Sequence, residues 1–113
     1  MDYSNLLIGF FRDYWSCETM LYKDKGFMAY YFEEDSLFVL HFFIDPEDRG
    51  LKSVHEMFEN IKKIAIKKGK KFIDCSNNME IKRSNERLLF QLRYGFKIKK
   101  IVGNDIYLRY EIK

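Results

Sequence analysis

The sequence predicts an α/β (α+β) fold, a mixed sheet of about six strands with helices on both faces, in the order α-β-β-β-α-β-α-β-β. The first observation is segment 51–69, whose apolar residues recur at helical spacing along one face. The second is that an almost wholly apolar strand, 37–44, precedes this helix and a short apolar strand, 71–75, follows it. One helix between two strands predicts a right-handed crossover with parallel strands.

The elements before this unit are predicted in order. Segment 4–17 has helical spacing of apolar side chains, at Leu7, Phe10, Phe11, Tyr14 and Trp15. Strand-like segments lie at 19–22, 27–32 and 37–44, and the short turn between the last two predicts that those two pair antiparallel.

The elements after it follow the same logic. We expect a polar loop over 76–83, a helix from Ser84 to a glycine stop at Gly95, and a hairpin of strands 96–102 and 106–112 around the turn 103–105. The sequence has no repeat and no Pro- or Ser-rich linker, so we predict one domain over 1–113.

Composition narrows the class of protein. With 47% hydrophobic and 18% aromatic residues the chain is not of the disordered class. No apolar run approaches the roughly 20 residues that cross a bilayer, and the first residues lack the basic region of a signal peptide. We therefore expect a soluble, intracellular, cytoplasmic protein with no membrane partner.

The two cysteines, Cys17 and Cys75, are not spaced from each other or from a histidine as metal ligands are. We therefore predict no metal site, and favour two buried free thiols over a disulfide.

Charge is divided between the two halves of the chain. Residues 1–50 carry a net charge of −6 and residues 51–113 a net charge of +9. A basic half attracts polyanions in general, including a phosphorylated cofactor or an acidic partner. Six lysines lie between Lys62 and Lys71, without any arginine, which favours a solvated helix face over nucleic-acid binding.

Two short motifs carry more information. Residues 44–50 read Ile-Asp-Pro-Glu-Asp-Arg-Gly between the apolar strand and the amphipathic helix. This segment resembles the V-x-P-x-x-R/Q-G strand end of the GNAT N-acetyltransferase superfamily, whose helix then begins R/Q-x-x-G-x-G/A. Residues 84–96, Ser-Asn-Glu-Arg-Leu-Leu-Phe-Gln-Leu-Arg-Tyr-Gly-Phe, resemble the family's N-x-x-A-x-x-L-Y-x-x-x-G-F. The resemblance covers about residues 18–113, and the family's usual first strand and second N-terminal helix are missing or replaced by residues 1–17.

The resemblance implies an acyl-CoA N-acyltransferase-like fold that binds acetyl-CoA and acetylates a primary amine of a small molecule or protein. A strand-to-helix turn suits a pyrophosphate, because it presents free backbone N–H groups at the positive end of the helix dipole. Asn85 would support the pantetheine arm. The other implied cofactor-binding residues are Phe43, Ile44, Arg49, Gly50, Leu51, Lys52, Ser53 and Val54.

The sequence departs from the family pattern at two places. The two glycines of R-x-x-G-x-G/A fall on Lys52 and Val54, whose side chains would crowd the diphosphate. The position that usually holds the general-acid tyrosine is Gln91, and an amide cannot deliver a proton to a thiolate. Tyr94 lies three positions further along the helix and is expected to point elsewhere. These departures predict weak or absent turnover of acetyl-CoA.

Other chemistry-bearing residues have plainer interpretations. Glu33 is our candidate for the base that deprotonates the amine, although a cluster of acids is more often a solvated hairpin tip. His41 in the apolar strand is read as a packed histidine, and His55 as a solvent-exposed one.

Two functions from different classes remain. One is the N-acetyltransferase above. The alternative is a non-catalytic interaction or assembly module on the same fold, which would bind a protein partner or a second copy through the basic half or an exposed aromatic face. Small Lys- and Ile-rich chains of this kind resemble proteins of phage and other compact genomes.

Overall fold

A computed structural model describes residues 18–22, 26–44, 51–80 and 84–112. Six strands form one sheet in the order β1-β2-β3-β4-β6-β5, with two helices. The elements are β1 (Glu18–Tyr22), β2 (Gly26–Phe32), β3 (Ser36–Ile44), α1 (Leu51–Lys67), β4 (Phe72–Asn78), α2 (Ser84–Tyr94), β5 (Lys97–Val102) and β6 (Asp105–Glu111). The helix predicted over 4–17 lies outside the described residues, so the full element order stays a prediction.

The predicted parallel pair and the predicted antiparallel pairs are confirmed. β3 pairs parallel with β4 across the α1 connection, and every other neighbouring pair in the sheet is antiparallel. β3 and β4 are interior strands, as the apolar character of 37–44 predicts.

One boundary prediction is wrong. Residues 76–78, expected to begin a polar loop, continue β4 and pair with residues 105–107 of β6. Their polar side chains suggested a loop. They form a strand nonetheless because β6 supplies backbone partners along its whole length, and Asn77 is buried beneath α2.

α1 forms because its apolar residues recur every three or four positions. Met57, Phe58, Ile61 and Ala65 are almost completely buried on the helix side that meets the sheet. They pack on strand residues from β2 to β6, among them Met28, Leu37, Ile73 and Leu108. Gly69 has a positive φ of 72°, which ends the helix without strain.

Both described helices lie on the same face of the sheet, called here the helix face. Phe58 of α1 contacts Phe90 and Tyr94 of α2, with ring centroids 5.7 and 5.4 Å apart. The same ring also contacts Phe42 of β3 and Phe96, which precedes β5. Phe58 therefore joins the two helices to the sheet.

The other side of the sheet is called the opposite face. Phe38, Asp74 and Arg109 lie on it, because side chains alternate along a strand and Leu37, Ile73 and Leu108 face the helices. Phe27 and Ala29 are fully buried on this face, whereas Tyr31 and Leu40 are more than a third exposed. Neither described helix has the length and apolarity needed to span a lipid bilayer.

Truncation of Phe58 tests this packing. We expect Phe58→Ala to lower the free energy of unfolding by about 3–5 kcal/mol, because the ring leaves a cavity between two helices and the sheet. Urea denaturation followed by circular dichroism measures the loss. The control, Leu89→Ala, removes a side chain that is 48% exposed and should cost less than about 1 kcal/mol. Equal losses for the two variants would contradict this account of the core.

Candidate functional site at the parting of two parallel strands

β3 carries one residue more than β2 can pair. Ala29 pairs with His41 and Tyr30 pairs with Val39, so Leu40 stands between two register pairs. An extra residue of this kind is a β-bulge, which bends its strand and increases the local twist. In a regular strand, Val39 and Phe42 would face opposite sides of the sheet, because they are three residues apart. The bulge shifts the alternation by one residue, so that Val39 before it and Phe42 after it both face the helices.

Beyond the bulge, β3 parts from β4. Parallel pairing begins at Ser36–Phe72 and ends at Val39–Cys75. β3 nevertheless continues to Ile44 and β4 to Asn78. Residues 40–44 and 76–78 are thus strand segments with no register pair between them, and the opening that they border is called the slot.

A buried amide pair lies where the strands part. Asn77 and Gln91 are 1% and 3% exposed. Asn77 Nδ2 donates a hydrogen bond to Gln91 Oε1, and Gln91 Nε2 donates to Cys75 Sγ at 3.2 Å. Gln91 is therefore held inward by β4.

One atom of this pair has no donor. Among the described residues, nothing reaches the buried Asn77 Oδ1 within hydrogen-bond distance. A buried carbonyl oxygen without a donor costs about 1–3 kcal/mol, so this atom marks a place where an N–H or O–H of a ligand would be stabilising. Asn77 was missed in the sequence, because it sits in a stretch that reads as a loop.

The predicted cofactor-binding residues are placed as follows. Phe43 and Ile44 end β3, and Leu51 begins α1, but their side chains are not described. Arg49 and Gly50 lie outside the described residues.

The next turn of α1 is described in full. Lys52 is exposed and Ser53 is half-buried. Val54 packs against the hydrophobic core, so its side chain is directed towards the sheet. Within the described helix, the first turn of α1 carries no acidic residue that would compensate the positive end of the helix dipole.

The remaining predicted residues lie further apart. Asn85 is exposed in the first turn of α2. Glu33 is exposed in the turn between β2 and β3, where Lys70 Nζ donates to its backbone oxygen at 2.8 Å. Its backbone N–H donates to the Ser36 carbonyl oxygen, which places Glu33 level with Ser36. Ser36 is four residues before Leu40, so Glu33 lies roughly 13 Å from the slot along the strand direction.

A second group of side chains joins the two helices. Tyr94 donates its hydroxyl hydrogen to Glu59 Oε1 at 2.9 Å, and Lys62 lies 3.3 Å from the same oxygen. The Tyr94 bond, more than any other contact, holds the pKa of Glu59 below its ordinary value. Burial, with Glu59 beside it, raises the pKa of Tyr94, so this phenol is a poor acid. Tyr94 thus contacts α1, through Glu59 and Phe58, and is not a member of the Asn77–Gln91 pair.

This group borders a groove of about 470 Å³ between the helices. Lys52, His55 and Arg93 supply basic groups, and Phe90 and Tyr94 supply aromatic walls. The His55 side chain is 59% exposed and lies 3.8 Å from Glu59, in agreement with the exposure predicted for it. The groove was missed in the sequence, since it combines residues from two helices whose relative placement no local pattern reveals.

A cavity of about 390 Å³ opens on the opposite face. Aromatic side chains of Tyr31, Phe38 and Tyr107 line it, and it reaches Leu40 and Ser76 at the slot. Glu33 and the two lysines Lys99 and Lys100 supply charge at its border.

Two other residues have structural roles. His41 packs against Phe27 at 5.8 Å, and burial lowers its pKa, with Arg87 adding to the effect. Cys75 is a buried free thiol whose pKa burial raises to about 12, so it is not a nucleophile at neutral pH. Cys17 lies outside the described residues. Within those residues no three His, Cys, Asp or Glu side chains are grouped to hold a metal ion.

Comparison with known proteins identifies the fold. No protein-family model and no curated protein sequence matches the chain. Solved structures, in contrast, match the chain over most of its length. The PaiA N-acetyltransferase from Thermoplasma acidophilum, solved with coenzyme A, superposes with a TM-score of 0.73 at 18% identity, over 95% of this chain and 69% of its own.

Two further structures agree. A GNAT-family acetyltransferase from Elizabethkingia anophelis with acetyl-CoA bound gives a TM-score of 0.73 at 18% identity, over 98% of this chain and 85% of its own. A GNAT acetyltransferase from Listeria monocytogenes 4b F2365 gives 0.62 at 15% identity, over 78% and 58%. The chain thus spans less than two thirds of that last structure. It has the GNAT acetyltransferase fold, which confirms the resemblance found in the sequence motifs.

Removal of one hydroxyl tests the contact between the helices. We expect Tyr94→Phe to lower the free energy of unfolding at pH 7 by about 1–2 kcal/mol, because the Glu59 carboxylate loses its donor. The folded-state pKa of Glu59 is depressed, so the stabilisation is full above its unfolded pKa and is lost as the pH falls through the folded value. Urea denaturation at pH 7 and pH 3 should therefore show a smaller effect in acid. Tyr107→Phe is the control, and a loss independent of pH would contradict the assignment.

Proposed function

We propose that the chain binds acetyl-CoA in the slot and transfers its acetyl group to a primary amine, slowly, without a protonating side chain at position 91. One observation carries the proposal: β3 and β4 stop pairing after Val39–Cys75 while both strands continue. Backbone groups that a neighbouring strand would otherwise satisfy are left available there. A pantetheine arm, with its two amides, is a ligand that such strand edges suit.

The residues around the slot fit this ligand. Asn77 Oδ1 is a buried acceptor that has no donor among the described residues, and an amide N–H of a pantetheine arm that displaced the atoms covering it would supply one. The start of α1 offers free backbone N–H groups and has no acidic side chain in its first turn, which favours a diphosphate. Val54 packs towards the core, so the crowding that its presence in the motif suggests is reduced.

The groove between the helices fits the nucleotide part of coenzyme A. Lys52 and His55 extend it from the start of α1, and Arg93 adds a third basic group from α2. Phe90 and Tyr94 offer aromatic surface to an adenine ring. Glu59 also lines the groove, but its carboxylate is already engaged by Tyr94 and Lys62. Lys52 and Arg93 beside aromatic walls favour a ligand that is both anionic and aromatic.

Acetyl-CoA supplies an acyl group already activated as a thioester. The chain's part is to hold the two reactants in the slot, so that proximity provides most of the rate. Slot-facing backbone N–H groups would stabilise the negative charge that develops on the carbonyl oxygen. The Gln91 side chain is hydrogen-bonded to Asn77 and Cys75. As an amide, it also cannot transfer a proton to the departing thiolate. Glu33, at the far end of the opposite-face cavity, would take the amine proton only through intervening water.

A second candidate is a non-catalytic binding module. It is favoured by exposed apolar side chains gathered on α2 and the edge strand β5. Leu89, Leu92, Ile98, Ile101 and Val102 are each 41–61% exposed. Such a patch suits a protein partner or a second copy of the chain.

Titration with acetyl-CoA separates the two candidates. We expect acetyl-CoA to raise the melting temperature and to give a saturable isotherm in calorimetry. Lys52→Gln should weaken binding by about three- to tenfold, because one cation near the diphosphate is lost. The matched control, Lys67→Gln, makes the same charge change at the other end of α1 and should leave the dissociation constant unchanged. Absence of binding to the wild-type chain would favour the module.

The pH dependence of turnover tests the role of position 91. We expect kcat/KM for a primary amine to rise from pH 6.5 to 9.5 without a fall on the alkaline side, because no acid at the slot must keep its proton. The thiol of coenzyme A departs as a thiolate, which needs no protonation in order to leave. Release of free thiol measures the rate, and circular dichroism at each pH checks that the fold persists. A bell-shaped profile would reveal an acid that this proposal lacks.

A further inference from the structure

The strand register places three polar side chains in one row beside the slot. Ser76 is the first β4 residue beyond the last pair with β3, and its register partner on β6 is Tyr107. Tyr107 in turn pairs with Lys100 on β5. All three lie on the opposite face, as does the cavity that they line. Since neighbouring strands are about 4.8 Å apart, Lys100 stands roughly 10 Å across the sheet from the slot edge of β4.

Aromatic side chains form much of the cavity around this row. Tyr31 stacks on Phe38 with ring centroids 5.2 Å apart. Lys100 Nζ lies 4.8 Å from the centre of the Tyr107 ring, which positions the ammonium group above it. At about 390 Å³ the cavity has the size of a small-molecule site.

The charges of the cavity are unequal at its two ends. Asp74 is neutralised by Arg109, which donates hydrogen bonds of 2.8 and 2.9 Å to its two carboxylate oxygens. Glu33 remains, at the turn between β2 and β3. Lys99 and Lys100 lie on β5, at the other end of the cavity.

We propose that this cavity is the acceptor site and that it selects a small primary amine carrying an anionic group, such as a carboxylate, held by Lys100 and Lys99. This inference rests on the proposed acetyl transfer. The amine lies at the slot edge beside Ser76, its apolar or aromatic middle lies against Tyr107, and its anion reaches the lysines. Glu33 repels the anion from the opposite end and so fixes the direction of binding.

The same lysines disfavour other acceptors. A polyamine would place a second ammonium group beside Lys99 and Lys100, and like charges at close range raise the energy of the complex. The acceptor class is thus set by the β5 side of the cavity.

Three matched acceptors test the proposal. 4-(Aminomethyl)benzoate, benzylamine and 4-(aminomethyl)benzylamine carry the same aminomethyl group on one ring and differ in the para substituent, which is a carboxylate, a hydrogen or a second aminomethyl group. Rates for the symmetric diamine are divided by two to account for its two equivalent amines. With acetyl-CoA saturating, we expect the benzoate to have a KM about tenfold or more below that of benzylamine, and the diamine a higher KM, with similar kcat values. Raising NaCl to 0.5 M should shrink the differences.

Charge removal locates the effect. Lys100→Gln should raise the KM for the benzoate about fivefold or more and leave that for benzylamine unchanged, and Lys99→Gln should add to it. Lys67→Gln, the same change on the helix face, should alter neither KM. Equal KM values for the three acceptors, preference for the diamine, or equal effects of Lys100→Gln and Lys67→Gln would overturn the proposal.

Binding without turnover separates this inference from the proposed function. If none of the acceptors is acetylated, the acetyl-transfer proposal fails. Calorimetry with 4-(acetamidomethyl)benzoate then decides the cavity's preference on its own. Binding that Lys100→Gln weakens and Lys67→Gln preserves would support an anion-selective site, and no binding would overturn it.

Discussion

A single extra residue in β3 is the constraint on which the site depends. Leu40 stands between two register pairs, and the bulge bends β3 away from β4 directly after the Val39–Cys75 pair. Without it, β3 and β4 would pair along their whole shared length and satisfy each other's backbone groups. The bulge also reverses the inward alternation, which allows Phe42 to reach Phe58 from the second half of the strand. Packing of the core and opening of the slot therefore share one cause.

The two helices give the slot its remaining surroundings. Phe58 and its ring contacts keep α1 and α2 together on the helix face, so that the start of α1, the groove between the helices and the buried Asn77–Gln91 pair adjoin one another. The opposite face bears a cavity whose charges lie at separate ends. In the proposed reaction the cofactor occupies the helix side and the acceptor the other, with the slot as the passage between them. The packing of α1 and α2 around Phe58 thus positions the residues proposed to bind the cofactor and borders the slot that connects them with the acceptor cavity.

Much of this architecture could be predicted from the sequence. The spacing of Met57, Ile61 and Ala65 predicted α1, and its position between two apolar strands predicted the parallel pair that the structure confirms. The motif at 84–96 correctly pointed to the GNAT fold.

The bulge could not be predicted, because the odd- and even-numbered residues of 37–44 are almost equally apolar. The sequence therefore does not show which side chains face the helices, or that the alternation changes within the strand. Asn77 was missed because its burial depends on α2, which is distant in sequence, and the cavity at Lys100 depends on a register across three strands. Local periodicity reveals elements, whereas the site arises from their pairing.

Hydrogen–deuterium exchange tests the slot most directly. Backbone amides with no partner exchange readily, and a bound ligand that accepts their hydrogen bonds slows them. The account predicts that acetyl-CoA slows exchange in peptides covering 40–44 and 76–78, while β5, at the outer edge of the sheet, is unaffected. Amides of these segments that face β2 and β6 are protected in both states by their ladder bonds, so the test concerns the amides that face the slot. Strong protection of the slot-facing amides before any ligand is added, with no change on titration, would mean that β3 and β4 are closed against each other and would contradict the account.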